Sequence, residues 1–541
     1  MTKRTQRAQR FRREQIPYVI LLLIMVVTGL FRFHLLEVPF ERDEGEYAYA
    51  GQLIQQGVPP YQEVYNMKFP GIYALYALFL TLFGATHQAI HFALLLTNLV
   101  TILLIYLLGT RILNQAGALT AAAAFAALSL SQSVMGIHAH ATHFVMVLAL
   151  AGLLILHKAL ENRNWGMFFT AGFLLGLAIT MKQHGAAFTA FAVLYVLYDA
   201  LSKRPLPWQA LMTRLAALAA GLCLVFLLLA GILLWQGVFE AFLFWTFQYA
   251  ARYIAQIPAE AIPFQFMCSF KPILASAPLL WLLTAAGCIA LFSRPLSVKH
   301  RVFLGLFALF SIVSIIPGFY FRPHYFVLLL PWAALSAGAA VHLAGHYASR
   351  IDNKLLHHGL PAALILLGVS QNIHIERDYL FHMNIFQVCR STYWLNPFYE
   401  SERIAEFIQK NTRPDERIAI AGSEPQIFFY AHRRSASGYI YMYPLMEKHP
   451  YALSMQEHFI KDIEAAKPRY MIVVNVSTSW LVDKESHQEI FRWLDGYLQD
   501  GKSRLVGLVE LEMEKSIFYE EPALKWPAAT ENWVALFERT P

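Results

Sequence analysis

Long apolar runs recur from Tyr18 to Gly368 and then stop. No other feature restricts the fold as much. A helix crossing a bilayer core needs roughly 20 apolar residues, or somewhat fewer where neighbours or local thinning accommodate it. Backbone groups in lipid must be hydrogen-bonded within the segment, so every crossing run is expected to be helical. The runs place spans at 17–36, 89–110, 117–134, 144–160, 166–181, 185–200, 211–235, 272–292, 302–318, 325–345 and 356–373. After the last span the composition becomes ordinary and mixed. The chain therefore divides into a membrane domain, 1–374, and a C-terminal soluble α/β domain, 375–541.

At 57% hydrophobic and 15% charged, the 541 residues fit a multi-span membrane protein. The net charge is +7, and Lys3, Arg4, Arg7, Arg10, Arg12 and Arg13 crowd the first fifteen residues. A basic arm for nucleic acid is one reading of that cluster. Beside a first span it reads instead as a cytoplasmic anchor, with no nucleic-acid partner. Segment 17–36 is too long for a cleaved signal and lacks its small-residue site, so it is read as a retained anchor. Of the four cysteines, only Cys389 lies in the tail, and none forms a C-x-x-C pair. Zinc ribbons, redox motifs and a disulfide framework are not expected.

Lys and Arg in short loops set the sidedness. With the N-terminus cytoplasmic, the inner loops hold Arg111; Lys158 and Arg163; Lys203, Arg204 and Arg214; Arg294, Lys299 and Arg301; and Arg350 and Lys354. The tail then emerges on the extracytoplasmic face. The apolar segment 70–84 is too short to span without moving those loops to the wrong side. It is read as a helix in, or dipping into, the outer interface. The protein is accordingly expected in the plasma (inner) membrane, as a multi-pass protein.

The candidate site residues fall in the outer loops. The first loop opens with FERDEGEYAYAGQLIQQG, 40–57, which sets Asp43 beside Glu44 at the membrane surface. Carboxylates there are costly unless they bind or react. Asp43 with Glu46 matches a D-x-x-E capping box, ahead of a helix stopped by Gly57. Asp43 also suits a general base, since desolvation can raise a carboxylate's proton affinity. Lys68, in YNMKFPG, reads as a snorkelling lysine or as a contact for an anionic headgroup. Lys182 and His184 lie in a turn recessed between short spans, and Arg322 and His324 flank Pro323 at the mouth of another. His138, His140 and His143 in the second outer loop have loop spacing, not the i, i+4 spacing of a helical zinc pair. They are read as interfacial hydrogen-bonding groups, and a divalent metal stays an open alternative with no other cofactor implied.

In the tail, helix patterns (401–410, 447–467, 485–499) alternate with strand patterns (417–422, 469–476, 504–512). This predicts an α/β domain with a largely parallel sheet. No phosphate loop, nucleophile elbow or metal spacing occurs in it, so its expected role is structural or binding.

Three features together resemble the GT-C superfamily of membrane glycosyltransferases. They are Asp43-Glu44 at the head of the first outer loop, Lys68-x-Pro70 before an apolar helix, and HYF…LLLP from His324 to Pro331. Within it they resemble the bacterial protein O-mannosyltransferase and aminoarabinose transferase group, glycosyltransferase family 39. The resemblance implies a GT-C fold of about 11 to 13 transmembrane helices. It implies a polyprenyl-phosphate sugar donor, a lipid, glycan or protein acceptor, and inversion. It makes Asp43 the base with Glu44 beside it, and Lys68 a ligand of the donor phosphate. Lys182, Arg322 and His324 join Lys68 on the outer face, and His138, His140 and His143 stand toward the acceptor. Met67 departs from the pattern, where the aminoarabinose transferases carry an acid. A transporter or lipid flippase is the rival reading. It calls for ionisable groups at mid-span and access from both faces, whereas the groups here gather toward one face.

Overall fold

The computed structural model describes residues 3–350, 354–524 and 526–540. The chain forms two compact units, each assembled from separate stretches. One comprises the chain through Leu36, His91–Ala230 and Ile257–His382; the other comprises Glu37–Ile90, Gly231–Gln256 and the chain from Met383 on.

The first unit is helical. Helix occupies the expected spans, although 117–134 ends early, as Gln115–Leu128, and 325–345 starts with a 3-10 turn, Pro323–Leu328. Among the described residues, six helices are long and apolar enough to cross a membrane. Small residues let two of the helices touch, a membrane device for close van der Waals packing. Between Trp165–Met181 and Trp208–Trp235, a Cβ on Gly172 would fall 1.9 Å from the Leu218 carbonyl oxygen, and one on Gly221 2.0 Å from that of Phe169. Arg32, buried in the first span, donates to the Gly136 and Ser129 carbonyls, both at 2.8 Å. That cation holds the turn leading to His138. The side chains of the N-terminal basic cluster and of Lys354 lie outside the described residues.

The expected straight span 272–292 is not found. Helix Ile262–Ser276 stops, and Pro278–Cys288 starts, across a bend of 103° in the broken pair. The hinge is Ala277, at φ −152° and ψ 57°. Steric conflict with Pro278 drives the preceding residue out of the helical region. Uninterrupted apolar composition had concealed the break.

In the second unit, Arg42–Gln55 is a largely buried helix, and Gly57 just past its end takes φ +81°, which glycine alone adopts without strain. Helix Pro70–Phe83 packs beside it; Gln55 Nε2 donates to the Ala77 carbonyl at 3.1 Å. Fourteen residues rise only about 21 Å, short of a bilayer core. Its Ile72, Tyr73, Tyr76 and Leu80 are buried, while Leu78, Leu82 and Phe83 are exposed. That two-sided character suits the expected interfacial helix.

The tail carries a six-stranded sheet: β1 (Arg417–Ala421), β2 (Arg434–Ser435), β3 (Tyr470–Asn475), β4 (Ser503–Leu511), β5 (Ser516–Glu520) and β6 (Trp533–Arg539), in the order β2-β1-β3-β6-β4-β5. The sheet is mixed, not largely parallel. β1 runs parallel to β2 and β3, but β6 lies antiparallel between β3 and β4, and β5 is antiparallel to β4. The link from β4 to β5 is a tight turn closed by Glu512 N–H to the Lys515 carbonyl at 3.0 Å. A parallel crossover needs a dozen or more residues, so the short link forces a hairpin.

Residues 37–90 are built into the same unit as the tail. Arg417 donates to Glu63 at 2.8 and 3.2 Å, and Tyr65 N–H to the Gly438 carbonyl at 2.9 Å. A Cβ on Gly45 would lie 2.6 Å from Gln426, so the helix Arg42–Gln55 rests directly on tail backbone. Residues 37–90 and the tail must therefore share one side of the membrane. Cysteines replacing the exposed Gln62 and Lys484 should both react with an impermeant thiol reagent in intact spheroplasts. Labelling of one without the other would contradict the shared unit. Labelling of both only after lysis would reverse the sidedness set by the basic loops.

Candidate active site

Four acids in seven residues, ERDEGEY from Glu41, make the start of helix Arg42–Gln55 ambiguous in sequence. The structure resolves it against the expectation. The N-cap is Glu41, not Asp43. Glu41 accepts from the Glu44 N–H at 2.9 Å, and the Glu44 carboxylate accepts from the Glu41 N–H at 3.4 Å. Glu44 thus spends its carboxylate on the capping box, and Asp43 is spared that duty.

Asp43 is engaged by side chains instead. Lys68 Nζ donates to Asp43 Oδ1 at 2.7 Å and to Glu46 Oε2 at 2.5 Å. Asp43 and Glu46 stand three residues apart on one helix face, so a single lysine spans both. Tyr73 donates its hydroxyl to the other Glu46 oxygen, and Tyr61 donates to the Lys68 carbonyl at 2.6 Å. The Lys68 ammonium also lies 4.7 Å over the Tyr47 ring. Burial raises the Glu46 carboxyl above its ordinary range, against the pull of Lys68. For Lys68, burial favours the neutral amine, but Asp43 and then Glu46 outweigh it and hold the ammonium charged.

The tail contributes Tyr441. Its hydroxyl lies 3.2 Å from Asp43 Oδ1 and 3.0 Å from the Arg42 carbonyl. Arg42 is itself clamped, with its guanidinium 2.9 Å from Glu424 and 3.0 Å from Asn396 Oδ1, and its Nε donating to the Ser423 carbonyl.

The first unit holds a second cluster. Lys182 ends helix Trp165–Met181 in extended conformation. Its Nζ lies 3.4 Å from His324 Nε2 and 4.2 Å over the Tyr325 ring. His140 stacks on His324 with ring centres 4.0 Å apart, and His138 follows at 6.1 Å from His140. His184 packs edge to face on the same Tyr325, with ring centres 4.7 Å apart, and its Nδ1 donates to the Ser314 carbonyl at 2.6 Å. Arg322 is exposed, with its guanidinium 5.4 Å over Tyr320. His143 sits buried in the first turn of helix Ala141–Asn162.

The sequence places all of these residues on one face; the structure puts Asp43 and Lys68 together in one unit, and Lys182, His324, His140 and His138 together in the other. Sequence reasoning gives Glu46 only a capping role, and Tyr73 and Tyr441 none. The i, i+3 spacing of Asp43 and Glu46 was a usable signal for the first of these. Nothing local announces Tyr441, which lies 398 residues from Asp43 in sequence.

The fold is the GT-C fold, shared by a class of polytopic membrane glycosyltransferases. Residues 68–235 match the family described as dolichyl-phosphate-mannose-protein mannosyltransferase. ArnT from Cupriavidus metallidurans is similar in structure. Its apo form aligns over 95% of this chain and 97% of its own, with a TM-score of 0.59 and 14% identity. Its undecaprenyl phosphate complex aligns over 97% and 98%, with a TM-score of 0.57 and 13% identity. The archaeal oligosaccharyltransferase AglB from Archaeoglobus fulgidus, in complex with an inhibitory peptide and a dolichol-phosphate, aligns over 94% of this chain and 75% of its own, with a TM-score of 0.55 and 13% identity. No curated protein matches the chain in sequence.

Proposed function

We propose that the protein is a membrane glycosyltransferase that moves a sugar from a polyprenyl-phosphate donor to a lipid, glycan or protein acceptor on the extracytoplasmic face. The observation that carries this reading is Asp43 itself, which is spared from helix capping and held by Lys68 and Tyr441 at the head of the first outer loop. In the reaction, Asp43 takes the proton of the acceptor hydroxyl. The oxygen attacks the anomeric carbon, the bond to the lipid phosphate breaks, and the phosphate departs with its negative charge. Attack opposite the leaving group inverts the anomeric centre. Lys68 faces two carboxylates, so its charge is already matched within the trio. Its assigned part is to keep Asp43 ionised and aimed. Stabilising the departing phosphate then falls to Lys182 and His324, with Arg322 as a further cation on the outer face. The complexes of ArnT with undecaprenyl phosphate and of AglB with a dolichol-phosphate support a donor of this class.

Mass spectrometry of envelope glycans, glycolipids and glycoproteins from a deletion strain tests the reading. The expected result is loss of one sugar substituent, restored by the wild-type gene. An envelope unchanged in every fraction would overturn it, and accumulation of an unmodified lipid on the inner leaflet would favour a flippase.

A further inference from the structure

From the hydrogen bonds that the tail makes to the head of the first outer loop, we infer that Tyr441 is a positioning residue for Asp43, so that the C-terminal domain completes the catalytic apparatus. The inference rests on the proposed role of Asp43.

The loop that carries Tyr441 is fixed at both ends. On one side, the Gly438 carbonyl accepts from Tyr65 N–H at 2.9 Å, and a Cβ on Gly438 would meet the Tyr65 ring at 2.5 Å. On the other, Met442 N–H donates to Ser423 Oγ at 2.9 Å. Ser423 sits just past β1, where its own N–H donates to Ser479 Oγ at 2.8 Å. Tyr441 is only 4% exposed, so its hydroxyl is aimed by packing and not by solvent. That hydroxyl bridges backbone and carboxylate, 3.0 Å from the Arg42 carbonyl and 3.2 Å from Asp43 Oδ1. The Arg42 side chain is clamped by Glu424, Ser423 and Asn396 of the same domain. Asp43 is thus held by Tyr441 and by Lys68, while its neighbour Arg42 is anchored to the same domain. A phenol this close to a carboxylate restricts its rotation. It also supplies a hydrogen bond to a charged acceptor, of the kind worth more than a neutral pair.

The test is a double-substitution cycle read by single-turnover transfer in nanodiscs, using the polyprenyl-phosphate sugar and acceptor that the envelope comparison identifies. Tyr441→Phe keeps the ring and its contacts and removes only the hydroxyl. In the wild-type background it should slow transfer about fivefold to tenfold, with donor KM unchanged. In an Asp43→Asn background the same change should have almost no effect, because the group it positions is gone. An equal fold-loss in both backgrounds would mean a general folding or binding defect and would overturn the inference. So would an undiminished rate for Tyr441→Phe alone. Near-normal transfer by Asp43→Asn would instead remove the role of Asp43 itself, a separate failure.

Discussion

Asp43→Asn should fold, insert and bind a polyprenyl-phosphate sugar, yet transfer it at least about a hundred times more slowly. General-base catalysis contributes typically about 10²–10⁴-fold, and an amide cannot take the acceptor's proton. The structure makes this substitution cleaner than the sequence suggested. Because Glu41 caps helix Arg42–Gln55, position 43 can change without unmaking the helix start. Lys68 would keep one carboxylate partner, Glu46, at 2.5 Å. Losing the sole partner of a buried charge costs about 3–5 kcal/mol, and here a partner remains, so the expected loss of stability is smaller. The measurement is single-turnover transfer, with donor affinity and melting temperature followed in the same preparation. Normal turnover would refute the base. A large fall in melting temperature with a proportionate fall in transfer would show that Asp43 serves only as the counter-ion of Lys68.

The overall architecture was legible because it follows from bulk properties. Apolar run length and composition announce helical spans. The weak points were local. Ala277 looked like any other apolar residue, and only the φ restriction imposed by Pro278 marks the bend. The cap was misplaced because Glu41, Asp43, Glu44 and Glu46 offer two capping boxes two residues apart. The sheet was read as largely parallel because Ser516–Glu520 and Trp533–Arg539 lack the strong apolar run of Tyr470–Asn475. For the site, side-by-side acids before a helix were visible, and so was a lysine before a proline. Their pairing through Lys68 needed the fold. So did Tyr441, since a loop in a soluble domain carries no mark that it will meet a carboxylate at the other end of the chain.

Lys182→Gln should weaken binding of a polyprenyl-phosphate sugar about 10–100-fold, the worth of one hydrogen bond to a charged group. Lys182 and Lys203 make a matched pair for this purpose. They flank helix Ala186–Leu201, whose sixteen residues rise about 24 Å, so they lie toward opposite ends of that span. Lys203 Nζ lies 2.5 Å from Asp199, which also pairs with Arg214 at 2.9 Å. Lys182 Nζ lies 3.4 Å from the His324 imidazole and 4.2 Å over the Tyr325 ring. An anionic phosphate is the ligand that such a lysine attracts most strongly at a membrane surface. Lys203→Gln should therefore leave donor affinity within about twofold, and Lys182→Arg should retain most of it, since the charge survives. Binding measured with undecaprenyl phosphate in nanodiscs, at low and at high salt, separates the outcomes. A loss at position 182 that fades with rising salt would follow from a charge contact. Equal small losses at 182 and 203 would show that Lys182 only packs its stem against Tyr325, and would leave the donor phosphate to other cations.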